Sequence, residues 1–94
     1  PVGSVSTKTP VDATAQLRVM PNPSTNTFQL RYEWPGKEHT QLELCDMLGQ
    51  PVIRRQLSAD AGAITFGQEL APGIYFLTLR SDGRQSVPVK LIKN

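Results

Sequence analysis

From Ala15 onward the chain alternates apolar and polar residues in short runs separated by turn formers. Ala15, Leu17 and Val19 alternate until Pro21-Asn22-Pro23. Phe28, Leu30 and Tyr32 follow and stop at Pro35-Gly36. Leu42 and Leu44 share one face of a third run, which Leu48-Gly49 closes. Residues 50–58 make a fourth run, with Val52, Ile53 and Leu57 as its apolar members. Asp60-Ala61-Gly62 turns the chain into Ile64 and Phe66. Pro72-Gly73 opens the strongest run, with Tyr75, Leu77 and Leu79 on one face and Ile74 and Phe76 on the other. Asp82-Gly83 suits a two-residue hairpin whose central positions need positive φ, and Val87, Val89 and Leu91 complete the pattern.

Segments of period two at a spacing of about 8–12 residues are the mark of a sandwich or small barrel. No window carries a convincing helical period. The chain therefore reads as all-β: an Ig-like antiparallel β-sandwich of about seven strands. Shared parity within each run assigns Leu17, Val19, Phe28, Leu30, Leu42, Leu44, Ile64, Phe66, Tyr75, Leu77, Leu79, Val89 and Leu91 to the core. Tyr75 sits at a strand start just after a crossing loop, the place of a tyrosine corner whose phenol bonds upstream backbone. Trp34 reads as core edge rather than as a binding platform. Residues 1–14 are small, hydroxyl-bearing or proline-rich and are expected to be a flexible linker ahead of a domain at 15–94. Val2, Val5 and Val11 could extend along a neighbouring sheet edge, a route to a homodimer by strand exchange. The tail Val87–Asn94 is expected to be a strand at or near a sheet edge. Lys90 and Lys93 are expected to be exposed on it and to offer backbone pairing and positive charge to a receptor.

Ninety-four residues allow one domain and no cleft between two. A net charge of +2 is no footprint for nucleic acid. The four basic residues after Gly73 oppose only Asp82, but no aromatic interleaves with them from Arg84 onward. Cys45 is the single cysteine, which excludes an internal disulfide and any multi-cysteine metal site. It lies out of phase with Leu42 and Leu44 and beside Glu43 and Asp46, so it reads as an inert thiol. His39 is the only histidine and has no partner pattern for zinc or for nucleophilic catalysis. Glu43 and Asp46 differ in parity and so cannot act as a carboxylate pair across one face. Calcium and phosphate loops have no candidate residues. No catalytic residue, cofactor or metal is expected. A chain that opens on Pro1-Val2-Gly3 is expected to be a fragment of a longer precursor.

Four blocks in order go further. Val19-Met20-Pro21-Asn22-Pro23-Ser24 followed by Phe28 resembles the V-Y-P-N-P opening of the C-terminal sorting domains of the type IX secretion system of Bacteroidetes-type bacteria. Asp46-Met47-Leu48-Gly49-Gln50-Pro51-Val52 resembles that family's D-x-x-G-x-x-V hairpin. Leu70-Ala71-Pro72-Gly73-Ile74-Tyr75-Phe76-Leu77 is similar to its L-x-x-G-I-Y-x-L strand. Val89-Lys90-Leu91-Ile92-Lys93 is similar to its terminal tail of two apolar residues between lysines. Met20 and Cys45 depart from the pattern at positions where an aromatic is usual. The resemblance implies a non-enzymatic address that takes an N-terminal cargo domain of the same precursor through the periplasm and a secretion translocon to the outer membrane surface or medium. It also implies removal by a sortase-like peptidase, with Gly3 and Ser4 as the guess for the bond. The motif residues it marks are Pro21, Asn22, Pro23, Asp46, Gly49, Gly73, Tyr75, Lys90, Leu91, Ile92 and Lys93. In physical terms most shape backbone: the prolines end a strand, Asp46 caps a turn and Gly49 supplies positive φ. An accessory binding or spacer module of a secreted hydrolase is the alternative, and it requires exposed coplanar aromatics.

Overall fold

Alternating apolar residues can all be buried only if each run is extended and pressed against a second layer. The computed structural model, which describes residues 14–35, 39–58, 61–81 and 83–94, has that arrangement. Its strands are β1 (Gln16–Met20), β2 (Phe28–Glu33), β3 (Thr40–Asp46), β4 (Pro51–Leu57), β5 (Ala61–Phe66), β6 (Gly73–Ser81), β7 (Arg84–Gln85) and β8 (Val89–Lys93), with no helix among the described residues. One sheet has the order β1-β2-β5; the other has the order β4-β3-β6, with β7 and β8 both paired to β6. All these strand pairings are antiparallel.

The chain is an all-β sandwich. In β2, Phe28, Leu30 and Tyr32 point inward while Gln29, Arg31 and Glu33 point to solvent. Trp34 continues the inward parity and is fully buried, deeper than the edge position expected of it. Phe28 stacks on Phe66 with ring centroids 5.7 Å apart. From the other sheet Leu42, Leu44, Tyr75, Leu77, Leu79 and Leu91 meet them. Of the residues assigned to the core by parity, Leu17, Val19, Ile64 and Val89 are only partly buried but pack against it, and the rest are buried. Tyr32, Trp34 and Leu57 complete the cluster. At the open side of the sandwich Arg55 donates from β4 to the Thr65 carbonyl on β5, 3.3 Å away.

The last segment differs from expectation. The tail strand expected over Val87–Asn94 is confined to β8, and a short additional strand, β7, precedes it, which makes eight strands rather than seven. β7 pairs with the end of β6 at Arg80 and Ser81, and β8 with its beginning at Gly73–Leu77. Between them Ser86 is buried, its amide donating to the Leu79 carbonyl (2.8 Å) while its Oγ accepts from the Leu79 amide (2.9 Å). A hydroxyl thus replaces a backbone acceptor, Val87 is left exposed outside any strand, and Pro88, which has no N–H, sits in the break. Gly83 has φ 76°, as the hairpin needs; Asp82 lies outside the described residues, as do the linker residues 1–13 with Val2, Val5, Val11, Gly3 and Ser4.

Candidate functional site

The motif blocks meet at one end of the five-stranded sheet. Asp46 on β3 is the cross-strand partner of Tyr75 on β6, and Tyr75 is the partner of Leu91 on β8. Gly73 is paired with Lys93 two residues further along. Residues 21–24 lie along the free side of β8, so blocks that are far apart in sequence converge on the C-terminal strand.

Apart from Lys90, the polar motif side chains are engaged within the domain. The Asp46 carboxylate accepts from the Leu48 amide (2.8 Å) and the Gln50 amide (3.0 Å), closing a tight turn in which Gly49 has φ 81°. An L side chain at Gly49 would be strained by that dihedral although space around it is open. Tyr75 donates its phenol to the Ala71 carbonyl at 2.7 Å, the tyrosine corner expected from its place in the sequence. Asn22, flanked by the cis peptide bonds Met20-Pro21 and Asn22-Pro23, acts as a strand surrogate. Its Nδ2 donates to the Lys90 carbonyl (2.9 Å) and its Oδ1 accepts from the Ile92 amide (3.0 Å). Ser24 continues the pairing: its amide donates to the Ile92 carbonyl (3.0 Å), and its carbonyl accepts from the Asn94 amide (2.8 Å).

Two expectations about the tail are corrected here. β8 is at the sheet edge, but its outward backbone groups from Lys90 to Asn94 are largely taken by Asn22 and Ser24, so that stretch is not a free template for an incoming strand. Lys93 is not exposed; it is 6% accessible. It shares the odd parity of Val89 and Leu91 and therefore points inward. Its ammonium donates to the carbonyls of Asn26 and Gly67, with the Gln68 carbonyl at 3.5 Å. A buried ammonium is tolerated only when its donors find such acceptors. Lys93 thereby ties β8 to the β1–β2 and β5–β6 connections. Lys90, of opposite parity, is exposed as expected.

The outer face of the same sheet carries a group that the sequence reading missed. Glu43 is buried, and its Oε2 and Oε1 meet Arg54 Nε at 3.0 Å and Arg80 Nε at 3.1 Å. Cross-strand register explains it: Glu43 is paired with Arg54 on β4 and with Thr78 on β6, two residues along from the Gln41–Arg80 pair and so on the same face. Cys45 lies half-buried beside it; burial, then the Glu43 carboxylate, pushes its thiol above the ordinary value. A thiol held protonated is a poor nucleophile. His39 is exposed at the far end of β3, seven residues and about 24 Å of strand from Asp46. Among the described residues no group of three His, Cys, Asp or Glu could hold a metal ion.

Residues 18–94 match the family model described as a secretion system C-terminal sorting domain. The chain belongs to that family. It is a type IX secretion sorting domain, and its sandwich is the form in which this sorting signal folds. No curated protein matches the chain. Such a domain is a C-terminal signal on a cargo that is exported to the outer membrane or cell surface.

Proposed function

We propose that the secretion machinery reads this domain folded, with the C-terminal strand seated, and that the domain is afterwards removed from its cargo by a sortase-like peptidase acting on the N-terminal side of the sandwich. Gly3-Ser4 remains the proposed bond. The observation that carries the reading is the closure of separate sequence blocks on β8 through Asn22, Ser24 and Lys93 and through the pairing of Tyr75 with Leu91. A linear peptide tag has no use for such bonds, whereas a folded address requires them. The proposed partners are a translocon component, the peptidase and the cargo domain of the same precursor, met in the periplasm and then at the outer membrane. A sugar-binding accessory role has little support, because Phe76 is the only aromatic that is not buried, and one ring is no stacking platform.

The test is a precursor with a reporter cargo ahead of this chain, expressed in a bacterium that has a type IX system. Deleting Lys90–Asn94 is expected to leave the cargo in the periplasm, and His39→Ala and Cys45→Ala to leave export unchanged. A truncated precursor reaching the surface at the wild-type level would contradict the reading.

A further inference from the structure

Apart from Lys90, the polar motif groups face the domain's own backbone, so what a receptor meets is Lys90 and the surface the others support. That surface is unusual. The outward positions of the three-stranded sheet are mostly polar, charged or small, Gln29, Arg31 and Glu33 on β2 and Ala63 and Thr65 on β5, with Met20 at the end of β1 as the one large apolar side chain exposed there. The outward rows of the five-stranded sheet at the motif end are apolar. Ile74 is paired with Ile92, and the next row runs Lys90–Phe76–Cys45–Pro51. Phe76 is 36% and Val52, at the bulge in the β3–β4 ladder, 44% accessible. The Asp46 turn extends the same end with Met47 and Leu48, 66% and 83% accessible. Contiguous exposed apolar surface of this kind marks an interaction site. Its charged border is Lys90, Arg54 and Arg80 against Glu43 and the Asp46 carboxylate of the turn, three positive groups to two negative.

We propose that this outer face, centred on Phe76 and Val52 with Lys90 at its border, docks a protein component of the secretion machinery that presents an apolar centre and an acidic rim. The proposal rests on the sorting reading and names the surface through which it acts. Charge complementarity selects the partner: a basic border steers toward acidic groups and penalises basic ones. An anionic membrane is the weaker match. An uncompensated basic residue at such a surface adds about fivefold to binding. The border carries one in excess, and Arg54 and Arg80 already share Glu43.

The experiment measures cargo export from the reporter precursor with Phe76→Lys, Val52→Lys and Lys90→Glu, against Gln29→Lys and Thr65→Lys on the opposite face. Thermal melting of each purified 94-residue chain checks folding. Lys90→Glu guards against a folding artefact, since that side chain is exposed; Lys90→Arg should restore export. Loss of about tenfold or more at the three docking positions, with the opposite-face variants unchanged, is the expected result. Wild-type export from folded Phe76→Lys, Val52→Lys and Lys90→Glu chains would overturn the docking surface while a domain-deleted precursor still failed to export. Export of the domain-deleted precursor would overturn the sorting reading itself. Sedimentation with phosphatidylglycerol-containing vesicles decides the membrane alternative. No association of the wild-type chain is expected, and binding that Phe76→Lys abolishes would make the patch a lipid contact and end the proposal.

Discussion

The three-stranded sheet and the motif end of the five-stranded sheet follow different rules. The first is held by an ordinary ladder, with apolar residues inward and polar residues outward on β2, and its outer face is solvated and, Met20 apart, free of large apolar side chains. The second is closed by side chains that bond backbone, a buried lysine among them, and its outer face is partly apolar. Both build the same core. The difference teaches that the sequence words distinguishing this family are spent where simple alternation fails to complete the structure: at a turn, at a corner and along an edge strand.

The comparison can be broken first at its shared base. Leu77 is fully buried on β6, and Leu77→Ala should cost about 2–5 kcal/mol in urea denaturation. A loss below about 0.5 kcal/mol would remove it from the core. Next comes the lysine tie. Lys93→Met keeps the stem but strips the ammonium from the carbonyls of Asn26 and Gly67, and should cost about 1.5–3 kcal/mol. An unchanged urea midpoint would show that the buried ammonium contributes nothing. Tyr75→Phe deletes one hydrogen bond to Ala71 and should cost about 1 kcal/mol with the ring still packed. The smallest effects belong to the solvated face: Gln29→Ala and Thr65→Ser should stay within about 0.5 kcal/mol by the same assay. Larger losses there would erase the contrast between the two regions. Cys45 gives a chemical check on the other face. Its thiol is pushed up by burial and by Glu43, so alkylation by iodoacetamide at neutral pH should run slower than for a small free thiol and should speed up as pH rises.

How much of this was legible in the sequence follows the same divide. Parity along a strand is local, so the inward stripes of β2, β3 and β6 were readable from Phe28, Leu42 or Leu77 and their neighbours. The Asp46 turn and the Tyr75 corner were readable too, because donor and acceptor lie within four residues. Asn22 reads as a turn former; its partners on β8 lie 68 and 70 residues away, and nothing local announces them. Lys93 had a local signal in its odd parity, shared with Leu91, but a lysine reads as solvent-facing unless carbonyls from distant loops are known to surround it. Glu43 needed two arginines from different neighbouring strands, a relation that only sheet order supplies. The gap at Ser86–Pro88 was half-legible: Pro88 forbids a donor, but that a serine hydroxyl would stand in for a backbone acceptor depended on Leu79 lying opposite.

The most direct test of the central claim, that the separate motif blocks hold the C-terminal strand in place, is native-state hydrogen exchange at the Ile92 amide in wild type and in Asn22→Ala. That amide donates to Asn22 Oδ1 at 3.0 Å, whereas the Leu79 amide in the middle of the same sheet has its own buried acceptor in Ser86. The account predicts that protection at Ile92 falls by about fivefold or more, with Leu79 unchanged. Equal protection of Ile92 in the two proteins would mean that the strand is held by β6 alone and that the Asn22 block does not secure it.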